Sequence, residues 1–443
     1  MVTRMSKFRI AISIFLLFLC APRSFPLDMS DAGSTLADVF EWATDDNEGL
    51  TTFRSLNIPV GGRSESLGSA CTALCDDISF FDYNPAASSV LPQTELAVFH
   101  NAWIADSAME TISATSRDGN FGYGAQVKCF YVPFSEYNLY GDRVGGSYYT
   151  ETSATLNASY NFLAGYDFKG LAVGVNTRFS WRGVPDYTDN QTDEIISGSG
   201  LEQSALAVMA DLGVLLRFNF LKNFADRNPN LSFGLSLNNA GAAFTGFGSS
   251  VGIDDPLPTR LSVGAAYRVF APILLTAEIR KPLNFMDFSS SGALSIASGM
   301  EISVTRFFNF DMGFLVQGGN PRISMGSGFL VKAFQMNVNY TFDLTSSQNP
   351  VNHISLSAKV KLGDKGRSEI QDQVDAYYIN GLRLYAEGDL DGAIVQWNLA
   401  IALDKRFDPA IDAKVAAIRF QNAKQAIMDM QKLDISISGK KSE

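Results

Sequence analysis

An alternation of large apolar with small or polar side chains, restarting many times, constrains this chain more than any other feature. In residues 154–166 the even positions hold most of the apolar and aromatic side chains, whereas in residues 169–182 the odd positions hold them. Successive residues of a strand point to opposite faces, so each run predicts a strand with one apolar face. Such runs fill most of residues 94–362. A sheet of that size needs either a second sheet or lipid against its apolar face, and we favour lipid.

The predicted fold is mainly β: an antiparallel transmembrane β-barrel of about fourteen strands over residues 93–362. A typical run is about ten or eleven residues long, which suits a tilted strand that crosses a bilayer. We predict strands at 94–104, 108–116, 119–132, 150–165, 169–182, 203–219, 230–241, 258–270, 271–282, 291–304, 307–317, 321–331, 334–344 and 352–362.

The connections between the runs differ in length. Those at 183–202 and 242–257 are long and polar or glycine-rich, and we predict that they are external loops. The junctions at Ala271 and Asn320, each followed by proline, are tight and are predicted as periplasmic turns. An even number of strands would leave both termini in the periplasm.

The first 26 residues have the pattern of a secretory signal peptide. Three basic residues precede an apolar run at 10–21, and prolines follow it. That run is too short to span a bilayer but suits the apolar part of a signal. A retained anchor and lipidation of Cys20 are the alternatives. No later stretch approaches ~18 uncharged apolar residues, so we expect no membrane-spanning helices.

Composition excludes some classes of partner and site. The chain is 46% hydrophobic and 18% charged, with a net charge of -11, which argues against nucleic acid as a partner. No Cys/His cluster has zinc spacing. Cys71 and Cys75 are one helical turn apart, and we predict buried small side chains there, with a labile disulfide as the alternative. Cys129 leaves an odd number after export, which indicates at least one free thiol.

Residues 27–92 are predicted to hold a short helix and a hatch that plugs the barrel. The helix is expected at 34–45, where Ser34 can cap a run of apolar side chains at helical spacing. Residues 58–91 are compact and rich in small side chains, but they do not alternate. Such a segment could fill a wide barrel.

Composition changes after residue 362. Residues 363–374 are a charged linker, 375–433 are predicted to be helical, and 434–443 form a tail. Six residues match packing positions of a tetratricopeptide unit, with an unrelated helical hairpin as the alternative. These residues are Tyr377, Gly381, Leu384, Ala393, Trp397 and Ala400. A single unit cannot bury its own face, so it must pack on the barrel rim, on a capping helix or on a partner.

Little in the sequence indicates catalysis. His100 and His353 both fall in predicted strands, where we expect buried or lumen-facing structural roles. Residues 248–252 match G-x-S-x-G, but they lie in a glycine-rich loop rather than a strand-turn-helix elbow. We therefore predict neither an enzyme nor a bound metal or other cofactor.

Two groups of acidic residues invite interpretation. Asp76 and Asp77 could pair with inward-pointing Arg178 or Arg182. The loop at 183–202 also carries four carboxylates, which could bind calcium or polar headgroups but more simply form a solvated loop. They are Asp186, Asp189, Asp193 and Glu194.

The segment IPVGGRSESLGSACTALCDDISFFDYNPAA resembles the N-terminal hatch of the FadL-like family of outer-membrane β-barrels. Its Gly-Gly-Arg start, and the motifs DLGV, SLNNAG and PLPTRLSVGAAYR further on, are similar to an uncharacterised spirochaetal branch of that family. The resemblance covers roughly residues 50–362 and implies a fourteen-stranded barrel with the hatch inside. The family's Asn-Pro-Ala element corresponds to Asn84, Pro85 and Ala86, which we assign to gating or structure together with Gly61, Gly62 and Gly68.

The resemblance implies passive uptake of long-chain fatty acids or other hydrophobic molecules across the outer membrane. An apolar lumen favours such ligands by about 0.8 kcal/mol per buried CH₂. The appended helices allow a second function, in which the barrel anchors a periplasmic tetratricopeptide-like module that binds a protein partner. The ligand contacts, the gating trigger and the oligomeric state do not follow from the sequence.

Overall fold

The computed structural model describes residues 40, 43–44, 51–138, 140–165, 168–189, 192, 194–224, 227–245, 255–344 and 352–439. The predicted signal peptide with Cys20, nearly all of the predicted helix at 34–45, and the motif at 248–252 lie outside these residues. The described chain forms two compact units, and the second comprises the described part of Leu163–Lys169 together with the residues from Asp364 onward.

Fourteen antiparallel strands close into a barrel, in which the first strand pairs with both the second and the last. This confirms the predicted count and fold class. The strands are β1 Glu95–Ala102, β2 Ala108–Asp118, β3 Phe121–Tyr137, β4 Arg143–Phe162, β5 Phe168–Gly183, β6 Ala205–Phe218, β7 Leu231–Thr245, β8 Arg260–Phe270, β9 Ile273–Pro282, β10 Ser295–Ser303, β11 Phe308–Gln317, β12 Asn320–Val331, β13 Phe334–Asp343 and β14 His353–Lys361. β3 and β4 extend well beyond the predicted runs because Pro133 and the Gly145-Gly146 pair interrupt the alternation there without ending the pairing.

The register places the apolar face of every run on the outside. Asn157 pairs with Asn176 on the inner face, although the parity of the two runs is opposite. Leu156, the neighbour of Asn157, is 62% exposed on the outer face, whereas Asn176 is fully buried. A barrel with apolar side chains outside and polar side chains inside has the polarity that a bilayer requires.

The strand order decides which connections share an end. Connections that follow odd-numbered strands lie at one end, which we call the loop end; those that follow even-numbered strands lie at the other, the turn end. The loop that follows β5 contains a short helix at Ser199–Gln203, α2, and is at the loop end. The β11–β12 turn before Asn320 is at that same end, so its assignment to the side of the Ala271 turn was wrong. The length of a turn does not indicate the end of the barrel at which it lies. That end depends only on whether the preceding strand is odd- or even-numbered.

Residues 51–92, which we call the inner segment, lie within the ring of strands and touch strands from β1 to β14. They contain short turns at Arg54–Asn57, Ile78–Asp82 and Pro85–Ser89 and one helical turn, α1, at Arg63–Ser66. Two of the turns begin with a side-chain cap: Asp77 accepts from the amide of Ser79, and Asn84 from that of Ala86. Such Asx caps replace the backbone partners that a regular helix or strand would supply.

The described helices of the second unit are α3 Arg367–Glu387, α4 Leu390–Leu403 and α5 Asp408–Gly439. Gly381 of α3 lies against the indole of Trp397, where a Cβ would collide with the ring. α3 begins inside the predicted linker 363–374, and α5 continues beyond residue 433. Among the described residues, none of the helices is long and apolar enough to cross a membrane.

Candidate functional site

The inner segment touches the barrel wall through a set of strand glycines. At each of these positions a Cβ would run into atoms of the inner segment. The glycines are Gly122, Gly174, Gly213, Gly234, Gly299, Gly313 and Gly326. Glycine in the interior of a strand weakens the strand and marks the close approach of another backbone. The wall is therefore shaped to receive this segment at van der Waals distance.

Residues 84–89 meet β3, β4, β5 and β6 through uncharged groups, and we call this the neutral contact region. The amide nitrogen of Asn84 donates to the carbonyl oxygens of Thr72, at 2.8 Å, and of Val214, at 3.0 Å. Asn157 of β4 donates to the carbonyl oxygen of Pro85 at 3.0 Å. Pro85 itself lies on Gly174 and Gly213. Backbone lies almost directly on backbone in this region, so little movement is possible without separation.

On the β14–β1 side the contact is ionic, and we call this the charged contact region (residues 59–65, 76 and 77 with β10, β13, β14 and β1). Arg63 lies at its centre and is almost completely buried. Its guanidinium donates to Glu301 at 2.5 Å and to Asp76 at 2.9 Å, and it lies 3.4 Å from Asp77. Asp77 also pairs with Lys359 of β14. Burial alone would raise the pKa of Asp77, but the charges of Lys359 and Arg63 hold it well below its usual value.

Glu65 completes the charged contact region. Its carboxylate accepts from Ser355 at 2.6 Å and pairs with His353 of the same strand. The backbone amide of Gly62 donates to the same Ser355 hydroxyl at 3.0 Å. A buried carboxylate with this many donors is satisfied, and it ties α1 to β14.

A second ionic cluster joins Asp82 of the inner segment to β3, β5 and β6, beside the neutral contact region. Asp82 pairs with Lys128 at 3.1 Å and with Arg178 at 3.4 Å, and Arg178 also pairs with Asp211 at 3.1 Å. Burial alone would raise the pKa of Asp82, but the charges of Lys128 and Arg178 lower it. All four side chains are buried, so removal of one charge leaves its partners uncompensated.

Two cavities lie on opposite sides of the inner segment. The larger, of about 1000 Å³, is lined by residues of the loop end such as Ile104, Pro256 and Gly318. The smaller, of about 290 Å³, is lined by residues of the turn end such as Asn228 and Ala271. Among the described residues, none lines both cavities. In this structure the inner segment therefore leaves one cavity toward each end of the barrel.

The larger cavity combines apolar surface with charged groups. Inner-segment residues form part of its lining, among them Phe53, Leu56 and Tyr83. The wall contributes aromatic and aliphatic side chains together with arginines: Trp103, Phe130, Val132, Leu257, Leu283, Arg182, Arg260, Arg280 and Arg322. Its volume lies at the upper end of the usual range of about 300–1,000 Å³ for small-molecule sites.

The structure distributes the predicted gating residues over different places. Asn84, Pro85 and Ala86 lie in the neutral contact region, whereas Gly61 and Gly62 lie against Ser355 and Ser357 of β14. Gly68 lies between β10 and β11, where a Cβ would meet backbone atoms of Phe314 and Ser298. They do not converge on one point; they mark where the inner segment meets the wall. Their role in gating stays a prediction.

Some predicted pairings are wrong. Asp76 and Asp77 pair with Arg63 and Lys359, not with Arg178 or Arg182, because the chain folds back on itself within the barrel. His100 is not buried: it lies on the outer face of β1, 43% exposed, with Glu110 2.7 Å away on β2. His353 is buried, as expected.

Among the described residues, the cysteines form no disulfide and the acidic loop forms no metal site. Cys71, Cys75 and Cys129 are all free thiols, and Cys71 is buried. In the loop, Asp186 accepts from the amides of Gly198 and Gly200. Asp193 lies outside the described residues, and no metal-binding group of His, Cys, Asp or Glu occurs among the described ones.

Sequence reasoning missed the strand glycines and the charged wall residues. The glycines had a signal: each occupies the small-polar face of its run. Gly174 and Gly213, for example, have inward-facing Asn176 and Asp211 two positions away. The ionic partners had no such sequence signal, because an inward-facing charge in a strand does not indicate which residue of the inner segment it contacts.

The sequence is similar to one family of known proteins. A profile of the family described as Uncharacterised protein family (UPF0164) matches residues 29–365. A UPF0164 protein of Treponema pallidum (strain Nichols) is 30% identical over 381 residues, which cover 84% of each chain. A second one from the same organism is 25% identical and covers 85% of this chain and 78% of its own. These relatives confirm the predicted spirochaetal branch.

Among solved structures, those similar to the barrel include three channels. The CymD monoaromatic hydrocarbon channel has a TM-score of 0.47 at 12% identity, over 69% of this chain and 99% of its own. The Pseudomonas putida toluene transporter TodX has 0.46 at 11% identity, and the Ralstonia pickettii toluene transporter TbuX has 0.43 at 11%; both matches cover 68% of this chain and 98% of the other. Likenesses at this level do not indicate a ligand.

Proposed function

We propose that this chain, which belongs to the uncharacterised protein family UPF0164, is an outer-membrane channel for passive uptake of hydrophobic molecules. The observation that carries the proposal is the inner segment, which separates two cavities inside a barrel with an apolar outer face. The outer face fits a bilayer, and the cavities offer a ligand a place on each side of the closure. With the loop end outside the cell, β14 ends on the periplasmic side, whereas the first described residues, such as Thr44 and Thr52, lie at the loop end.

Long-chain fatty acids are the proposed ligands of the larger cavity. Each CH₂ that leaves water gains about 0.8 kcal/mol, so a long chain binds by its length alone. The arginines of the lining can hold a carboxylate, since a guanidinium donates two parallel hydrogen bonds to it. Displacement of the inner segment from the wall would then let the ligand pass.

The test is binding of a fluorescent long-chain fatty acid to the full chain in lipid nanodiscs. We expect saturable binding to one site per barrel, weakened by Leu257→Trp, because Leu257 lines the larger cavity. The matched control is Leu235→Trp on the outer face, where the side chain is 46% exposed and the substitution adds no bulk to the lumen. Non-saturable binding, or equal binding by both variants, would sink the proposal.

A second candidate function is that of an anchor for the helical unit as a protein-binding module. It is favoured by the apolar side chains that this unit leaves exposed, such as Ile379, Leu382 and Leu399. Cross-linking of the full chain to a periplasmic protein, lost on Leu382→Asp while fatty-acid binding persists, would support it. Tetratricopeptide packing remains a prediction for this unit.

A further inference from the structure

One patch of the barrel's outer face is covered, although it faces away from the lumen. Val316 lies between Leu315 and Gln317 in β11, and both of these line the larger cavity, so the Val316 side chain points outward. Val263, which also points outward, is 53% exposed, whereas Val316 is 1% exposed. Pro321, the cross-strand neighbour of Val316 on β12, is buried as well. Another part of the chain therefore covers this patch.

The described residues before the inner segment lie at this patch. The ring of Phe40 is 5.9 Å from that of Phe314, measured between centroids, at an interplanar angle of 50°. Phe314 belongs to the outer face, because the preceding residue, Gly313, packs against the inner segment. Ala43, one helical turn after Phe40, is fully buried. The chain therefore lies outside the barrel wall before it becomes the inner segment.

The chain crosses the rim of the barrel at the β11–β12 turn. This turn has two residues, Gly318 and Gly319, and by the bounds of the described strands it is the shortest connection at the loop end. A Cβ on Gly319 would lie 3.3 Å from the Cα of Thr44 and 2.8 Å from its hydroxyl. Eight residues later, the amide of Thr52 donates to the carbonyl oxygen of Pro256, which lines the larger cavity. The path from the outer face to the lumen thus passes over the shortest turn of the rim.

We infer that the patch formed by Phe314, Val316 and Pro321 is a docking site for the chain's own N-terminal segment, which takes the place of lipid there. The segment has the chemistry that such a site needs, since Phe40 belongs to residues 34–45, where apolar side chains recur at helical spacing. The patch is continuous with the apolar outer face of the barrel. The docked segment holds the start of the inner segment at the loop end, opposite to the end at which β14 leads into the helices. The inference is independent of the ligand proposed above.

The test is photo-cross-linking of the full chain in lipid nanodiscs, with Phe314 replaced by p-benzoyl-phenylalanine. After irradiation and trypsin digestion, mass spectrometry identifies what the benzophenone has captured. We expect a cross-link to the tryptic peptide that ends at Arg54, at a position within residues 36–44. The matched control carries the same replacement at Phe179, which points outward on β5 and is 46% exposed. This control should capture lipid and no peptide.

Phe40→Asp should abolish the cross-link, because a carboxylate would have to leave water for an apolar contact. Tyr140→Asp, at a side chain that is 89% exposed, should leave it intact. Capture of lipid alone at Phe314, while buried Cys71 resists alkylation and so reports a folded barrel, would overturn the inference. Capture of the same peptide at Phe179 would also overturn it. If Phe40→Asp fails to fold, the comparison of Phe314 with Phe179 in the otherwise unchanged chain still decides.

Discussion

The two contact regions of the inner segment hold it to the same wall by different physics. In the neutral contact region, Asn84–Ala86 backbone lies on Gly174 and Gly213 and is joined by uncharged hydrogen bonds. In the charged contact region, Arg63 and Asp77 meet Glu301 and Lys359 through long side chains. The first depends on shape, and the second on the pairing of buried charges.

This difference indicates which side can open. Backbone that packs directly on a glycine is either in contact with it or separated from it, with no intermediate state. Long charged side chains can keep hydrogen bonds to water or to one another while the backbone moves. Asp82, next to the neutral contact region, is also ion-paired with Lys128 and Arg178 of the same wall. We therefore expect the inner segment to pivot on this side and to leave the wall first at the charged contact region.

The largest effect is expected for Arg63→Ala, which removes the centre of the charged contact region. Glu301, Asp76 and Asp77 would lose their common partner in a buried site, which costs about 3–5 kcal/mol. We expect Cys71, which is buried in the parent protein, to be alkylated and ion conductance in planar bilayers to rise. Arg117→Ala is the control at the turn end. A variant in which Cys71 stays protected would show that the charges do not hold the segment.

A smaller effect is expected for Gly174→Val in the neutral contact region. The new side chain would meet the backbone of Pro85 and Ala86, and overpacking of this kind costs about 1–3 kcal/mol. Conductance and Cys71 alkylation should both rise, less than for Arg63→Ala. The matched control is Gly145→Val, where the nearest atom to a new Cβ is in the side chain of Glu136. If the two valine variants behave alike, the glycine contact is not specific to the inner segment.

The smallest effect is a pH dependence of closure. The pKa values of Asp77 and Asp82 are lowered in the folded state, so their pairing stabilises closure above the unfolded value of about 3.9 and is lost as pH falls through the folded values. Conductance should therefore be constant in mild acid and rise only below about pH 4. Asp82→Asn should flatten part of that rise. A rise that begins near neutrality would point to a different titrating group.

Much of the barrel could be predicted from residues close together in the chain. The run around Leu156 and the run around Val175 each show their two faces by alternation, and this alternation puts Asn157 and Asn176 on the same inner face. The predicted strand ends were wrong where the alternation was interrupted, as at Pro133. The predicted end of the barrel was wrong for the turn at Asn320, because the length of a turn does not indicate the end at which it lies. The outward position of His100 shows that a polar residue on an apolar face can be carried by a cross-strand partner, Glu110.

The candidate site was less predictable. The resemblance singled out Asn84, Pro85 and Ala86, and the structure places them against the wall at Gly174 and Gly213. No pattern linked Asp77 to Lys359 or Arg63 to Glu301, which are separated by more than two hundred residues in the chain.

The sequence by itself determined the strands, their two faces and the count of fourteen, because side-chain alternation is a local property that each run carries in full. Only the tertiary structure decided where the inner segment lies, which charges pair and how the lumen divides into two cavities. Those features depend on distances between residues far apart in the chain, and these distances exist only after the barrel has closed around the segment.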